Sequence, residues 1–240
     1  HDDVVDGAET RRARQTVSKI WGNEVSILSG DYLFAMAFYQ LAKIRNLEVL
    51  RLMSETTTRM ARGELLQLTR SFEASDEEKY FEIIINKTAC LFAAAIKTGA
   101  LLAGGTLDCA DQLYEYGMAL GIAFQIVDDA LDYSDENKTG KPIGGDLQER
   151  KITLPLSHLL EKANDSDKGR LDQILSNQEI EKHHIEEVVN MMKIYGSIQY
   201  TMDCSRKYAD KAKCSIAKFS ETILSQTLLK LSDFIVSREF

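Results

Sequence analysis

Proline is nearly missing from this chain: 240 residues contain two, Pro142 and Pro155, so long stretches run without a helix breaker. The fourteen glycines follow no repeating turn pattern, which argues against a meander of short strands. Four cysteines, Cys90, Cys109, Cys204 and Cys214, stand far apart with no C-x-x-C pair. That excludes a zinc ribbon and a disulfide framework, and the four read as small buried apolar residues of a reduced, cytoplasmic compartment. There is no Lys/Arg run, and the formal net charge is −8, so the electrostatic basis for holding a nucleic-acid backbone is absent. The first residues are acidic where a secretory signal is basic, so none is expected there. An apolar run does exist from Thr88 to Gly105, but Lys97 interrupts it and its small residues suit close packing. It is expected to be a buried core helix, not a transmembrane span.

What is there points to an all-α fold. Apolar residues recur at spacings of three and four, clearest in Leu113, Gly117, Leu120, Phe124, Val127 and Leu131, which form one buried stripe. Gly121, Gln125, Asp128 and Asp132 form a second, polar stripe on the same helix. Further helices are predicted over Gln15–Trp21, Asp31–Lys43, Leu47–Gln67, Ser75–Gly104, Leu154–Lys162, Lys168–Asn177, Ile180–Tyr195, Ser197–Phe219 and Glu221–Glu239. Loops are predicted near Gly22-Asn23, Gly104 to Thr106, Ser134 to Gly145 and Asn164 to Asp167. Ser75 and Glu78 have capping-box spacing. His183 and His184 are placed on a polar helix face, and the lone Trp21 in the core.

Two acidic clusters share one internal spacing: Asp2, Asp3 and Asp6, then Asp128, Asp129 and Asp132. The outer pair of each is one helical turn apart, where like charges cost a few tenths of a kcal/mol, ~0.2–0.5, even in water. A single acidic run is usually a solvated helix face. Two copies, one embedded in the apolar segment MALGIAFQIVDDALDY, point instead to a bound cation. Oxygen-only donors without His or Cys suit Mg²⁺, commonly held by one or two carboxylates together with substrate phosphates. Basic residues follow each cluster: Arg11 and Arg12 after the first, Lys141 and Lys151 after the second, with Lys87 and Thr88 opening the apolar helix. Arg forks and Lys point charges are what a diphosphate needs.

The segments HDDVVD with RR, TVSKIWGN, GDYLFAMAF, RGELLQL, NKTACLF, GIAFQIVDDALDY, GKPIGGDLQERKITLP, YGSIQY and LSDFIVSREF together resemble the trans-isoprenyl (polyprenyl) diphosphate synthases, most of all their long-chain octaprenyl, solanesyl and decaprenyl branch. The resemblance covers essentially the whole chain. It implies a single helical-bundle domain over residues 1–240, with both aspartate motifs lining a central cavity, and a homodimer. It also implies Mg²⁺ on Asp2, Asp3, Asp6, Asp128, Asp129 and Asp132. Arg11, Lys87 and Lys141 fall at positions that bind the allylic diphosphate, and Arg12 at one facing isopentenyl diphosphate. Thr88, Gln125 and Lys151 fall beside the reacting carbons or the leaving group, and Asp146 lies outside the metal ligands. The implied reaction is Mg-assisted ionisation of an allylic diphosphate and condensation with isopentenyl diphosphate. No partner beyond these substrates is implied, save loose membrane association through a lipid product.

Departures from the pattern are expected to matter locally at Ala13 and Gln15, where Gly and Pro are usual, and at Arg150, where Gly is usual. Members of the family carry upstream helices with a Gly-Gly-Lys-x-Arg segment and a His that these 240 residues do not include, so the sequence is expected to be part of a longer polypeptide. The resemblance implies that product length depends on residue bulk below the first aspartate motif, where Ala35, Ala94 and Ala95 would permit a deep tunnel and Phe34, Phe38 and Phe92 could close it. A farnesyl or geranylgeranyl synthase, and a non-catalytic subunit of a heteromeric synthase, are the alternatives.

Overall fold

The computed structural model describes residues 1–11, 14–69, 77–134, 143–177, 179–219 and 222–238. Arg12, Ala13, Ser75 and Lys141, each named above, lie outside the described residues. The chain divides into two compact units, His1–Met53 and Ser54–Phe240, taken in turn.

In the smaller unit, α1 (Asp2–Val5) is a single turn that ends before Gly7, whose φ of 63° favours glycine. Two short strands, β1 (Thr10–Arg11) and β2 (Arg14–Gln15), pair antiparallel with Thr10 opposite Gln15. Thr16 follows and starts α2 (Val17–Trp21): its Oγ1 accepts from the Lys19 N–H at 3.3 Å and donates to the Ala8 carbonyl at 2.7 Å. The helix expected from Gln15 therefore begins two residues later. Gly22, at φ 91°, is enough to separate α2 from α3 (Asn23–Lys43), which starts at Asn23 and not at Asp31. His1 ties α1 to α3, with Nε2 at 3.0 Å from the Ile27 carbonyl and 2.9 Å from Asp31 Oδ1. Trp21 is not in the core. It is 63% exposed, because the five-residue α2 buries none of its side chains.

Helix α4 (Leu47–Leu68) carries the chain into the larger unit. The single helix expected over Ser75–Gly104 is continuous through its described part but has a π-helical turn inside: α5 (Glu77–Ile84), the π segment Ile85–Ala89 and α6 (Cys90–Leu102). This stretch, with mean hydropathy 1.3, is long and apolar enough to cross a membrane by length and composition. Its packing is that of a core helix: Ala89, Cys90, Ala93 and Ala94 are buried, and α7 (Leu107–Leu131) lies directly against them.

Thr106 starts α7 by accepting from the Cys109 N–H at 3.2 Å. The expected single apolar stripe understates this helix. Tyr116, Gly117, Ala119, Leu120, Gly121, Ile122, Ala123, Ile126, Val127 and Ala130 are all buried, because α6 packs on one side and α12 (Ser197–Ser215) on another. Small residues make both contacts close. Ser197, Thr201, Cys204, Ser205, Ala209 and Ala212 line the buried face of α12, and a Cβ built on Gly117 or Gly121 would lie 2.7 Å from Ala93 Cα or Ala89 Cα.

Beyond α7 come α8 (Gly145–Gln148), α9 (Leu154–Lys162), α10 (Asp165–Ser176), α11 (Lys182–Ile194) and, after α12, α13 (Ile223–Val236). Leu147, Leu156, Leu159, Leu171, Ile174 and Met192 build the core shared by α8 to α11, whereas Ile235 of α13 joins Tyr116 and Leu120 of α7 and Ala209 of α12. Asn164 accepts from the Asp167 N–H at 2.9 Å and so begins α10 within the expected loop. His183 is exposed, whereas His184 closes a capping box with Glu181. Of the cysteines, Cys90 and Cys204 are buried, Cys109 is partly so and Cys214 is exposed, all four as free thiols. Burial was expected of every one; Cys214 instead falls on the outer face of α12.

Gly117→Ala forces backbone apart and is expected to cost about 1–3 kcal/mol. Gly169→Ala, in open space inside α10, is expected to gain roughly 0.5–1 kcal/mol. Urea midpoints of the two variants should move in opposite directions.

Candidate active site

The last two turns of α7 present Gln125, Asp128, Asp129 and Asp132 at helical spacing, and their surroundings differ sharply. The Asp128 side chain is 49% exposed. Asp129, next to it, points inward and is 5% exposed. Both of its oxygens accept hydrogen bonds: Oδ1 from Gln125 Nε2 at 2.8 Å and Oδ2 from the Tyr80 hydroxyl at 2.7 Å. The chain continues from Gln125, whose Oε1 accepts from Thr88 Oγ1 at 2.9 Å. Asp132 caps α7, and its Oδ2 accepts from the Asp146 backbone N–H at 3.0 Å. Gln125, Asp128 and Asp132 thus share a face as their spacing predicts, and Thr88 and the Asp146 backbone are hydrogen-bonded to it.

Burial pushes the Asp129 carboxyl up to about 7, against the opposing hydrogen bonds from Gln125 and Tyr80 and with added push from Asp128 and Asp132. Asp146 is pushed up to about 8 by burial and by the charges of Asp129 and Asp132, with Lys151 opposing. Burial, then the Asp129 charge, raises the Tyr80 phenol, so it stays a proton donor.

Lys87 and Thr88 lie on the π segment, where the widened turn offsets the backbone by a residue. Gly63 of α4 lets this turn approach closely: a Cβ there would lie 2.5 Å from the Lys87 nitrogen. Lys87 Nζ is held by Glu64 Oε2 and Gln67 Oε1, both at 2.6 Å. Neither partner was read from the sequence as part of a site, since both look like ordinary polar helix residues. Asn86 is fixed by Arg59, whose Nε donates to Asn86 Oδ1 at 3.0 Å.

Lys151 pairs with Glu149. Just before it Arg150 stands at φ 59°, the left-handed region, which explains why glycine suits that position. Its guanidinium donates to the Leu175 carbonyl at 3.2 Å. Arg238, to which the sequence reading gave no role, lies with its guanidinium carbon 4.4 Å above the Phe124 ring and Nη2 3.9 Å from Asp128 Oδ1. Tyr80 was also missed, having the sequence signature of a core aromatic.

In the smaller unit, Asp2 and Asp3 lie on α1 and Asp6 caps it, its N–H donating to the Asp2 carbonyl at 2.8 Å. Arg11, on β1, donates from Nη1 to Asp3 Oδ1 at 2.7 Å, and this bond raises the guanidinium further above its ordinary value. The first cluster and its adjacent Arg are therefore brought together as the sequence order suggested.

Among the described residues, no three His, Cys, Asp or Glu side chains form a ready metal cage. The donors that are present, oxygen only and with Asp128 open to solvent, fit a hard cation that keeps waters and completes its shell from phosphate.

A sequence profile described as polyprenyl synthetase matches residues 1–192. The octaprenyl diphosphate synthase of Escherichia coli is 36% identical over 241 residues, spanning 100% of this chain and 74% of that protein. The short chain isoprenyl diphosphate synthase of Methanothermobacter thermautotrophicus is also 36% identical, over 100% of this chain and 75% of its own length. The crystal structure of a decaprenyl diphosphate synthase from Rhodobacter capsulatus superposes with a TM-score of 0.93 at 36% identity, covering 98% of this chain and 73% of that one. A polyprenyl synthase from Caulobacter crescentus, crystallised with calcium and isoprenyl diphosphate, gives 0.94 at 37% identity, with 100% and 74% covered.

The two raised carboxyls set a pH dependence for the protein in EDTA. Unfolded, each loses its proton near 3.8; folded, near 7 and 8. Between these values the folded state binds more protons, so stability falls as pH rises from about 4 to about 8. Asp146→Asn is expected to flatten that slope in urea titrations at pH 5.5 and 8.5.

Proposed function

This chain belongs to the polyprenyl synthetase family, and we propose that it is a trans-prenyltransferase that condenses isopentenyl diphosphate with an allylic diphosphate to give a long-chain polyprenyl diphosphate. The observation that carries the reading is the Thr88–Gln125–Asp129 chain placed behind Asp128 and Asp132 on α7.

Asp2, Asp3 and Asp6 in the smaller unit, and Asp128 and Asp132 in the larger, would supply carboxylate oxygens to Mg²⁺. Asp129, expected among them, accepts from Gln125 and Tyr80 and keeps a further lone pair on each oxygen for the cation. When bound, Mg²⁺ supplies the positive charge that neutralises the departing diphosphate. Arg11, Arg12, Lys87, Lys141 and Lys151 are the cations that bind the diphosphates. Arg11 and Lys87 change partners to do so, leaving Asp3 and Glu64. The oxygen lone pairs of Thr88 and Gln125 face the positive charge that develops when the allylic C–O bond breaks. The double bond of isopentenyl diphosphate then attacks the allylic carbon, and loss of a proton leaves an allylic diphosphate five carbons longer. The apolar faces of α6 and α7 keep water from quenching the cation.

The octaprenyl and decaprenyl relatives support the long product. The short-chain relative, at equal identity, favours a second reading of the same chemistry, a farnesyl or geranylgeranyl synthase. A homodimer goes with the family reading, and α3 offers uncovered apolar side chains for it: Leu28 is 65% and Leu33 67% exposed. A cytoplasmic site of action, with the product drawing the enzyme to membranes, belongs to the same proposal.

Incubation with Mg²⁺, farnesyl diphosphate and labelled isopentenyl diphosphate should give labelled alcohols of octaprenyl length or longer after dephosphorylation and chromatography. Asp128→Ala should lower kcat by roughly a hundredfold or more. Products no longer than geranylgeraniol support the second reading; none at all from homogeneous folded protein sinks the enzyme reading. In sedimentation equilibrium the chain should run at twice its 27.0 kDa mass.

A further inference from the structure

Thr88 and Gln125 are one end of a longer relay whose other end is Tyr80, a residue with no assigned part in the chemistry. Tyr80 is 2% exposed and packs among Ile84, Ala89, Ile122, Ile126 and Leu154. A phenylalanine would fill the same space, whereas a buried hydroxyl must find a partner or cost stability. The partner it has is Asp129 Oδ2, within the second aspartate cluster, at 2.7 Å.

The direction of each bond follows from this one. Once ionised, Asp129 accepts only, and with donors on both oxygens its plane is fixed. Oδ1 then turns the Gln125 NH₂ toward itself, which turns the Gln125 carbonyl toward Thr88 and commits the Thr88 proton to that carbonyl. The Thr88 oxygen and the Gln125 carbonyl keep lone pairs to offer, and the second N–H of Gln125 stays on the nitrogen that is turned to Asp129. Were the Gln125 amide turned over, its NH₂ would face Thr88 and present positive charge where an allylic cation forms.

We propose that Tyr80 is a positioning residue for the condensation, holding Asp129 so that Gln125 and Thr88 present oxygen, not N–H, to the reacting carbons. The inference rests on the prenyltransferase reading. It adds a role for a side chain two turns before Thr88 that touches neither metal nor substrate.

Tyr80→Phe keeps the ring and removes the donor. With farnesyl and isopentenyl diphosphates at saturating Mg²⁺, kcat per folded molecule is expected to fall roughly tenfold, the equivalent of one hydrogen bond, while both KM values stay unchanged. An unchanged kcat, with only a lower Tm, would mean a structural hydroxyl and overturn the proposal. A second readout needs no turnover: the side-chain NH₂ resonances of Gln125, assigned by their loss in Gln125→Glu. In Tyr80→Phe they should shift and exchange faster with solvent; resonances identical to wild type overturn the proposal. Asp129→Asn should displace the same signals, which keeps the test available if Tyr80→Phe does not fold, and unmoved signals there count equally against it. If the wild-type chain makes no product, the prenyltransferase reading fails, while the Gln125 resonances still decide whether Tyr80 orients the relay.

Discussion

Two glycines bring α7 so close to the π segment and α6 that one methyl group on either would lie 2.7 Å from a backbone carbon, Ala93 Cα for Gly117 and Ala89 Cα for Gly121. Most of the site follows from that approach. With the two backbones in contact, Thr88 reaches Gln125 directly, and one helix earlier the longer Tyr80 reaches Asp129. The π turn supplies the remaining freedom, since its extra residue rotates Lys87 toward Glu64 and Gln67 while Thr88 faces α7. Gly63 permits the same closeness on the α4 side.

Within each unit, cations lie against nearby carboxylates. Arg11 sits on Asp3, Lys87 on Glu64, Lys151 on Glu149, and Arg238 lies near Asp128 over the Phe124 face. Asp129 and Asp146 take another course: buried near other carboxylates, they hold their protons far above the usual carboxylate range.

Much of this was legible in the sequence. The near absence of proline and the three-four spacing of apolar residues gave the helices, and α9 falls on its expected bounds because Pro155 sits in its first turn. Asp128 and Asp132 share a face of α7 as their spacing requires. Misplaced elements have local causes: Thr16 and Asn164 begin helices by capping, and Gly22 breaks one in a single residue. Trp21 and Cys214 were placed inside on residue type alone, and type does not say whether a helix has a second neighbour to bury it.

Residue chemistry and spacing by themselves determined the helical class, the two carboxylate clusters and the order of cations around them, because a helix converts sequence intervals of three and four directly into shared faces. Only the tertiary structure decided that Asp128 is open while its neighbour Asp129 is buried, that a π turn divides the apolar helix, and that Tyr80 bonds an aspartate 49 residues away. Each of those depends on which second helix arrives and how near. Glycines at the crossing set that distance, and no periodicity along one chain segment records it.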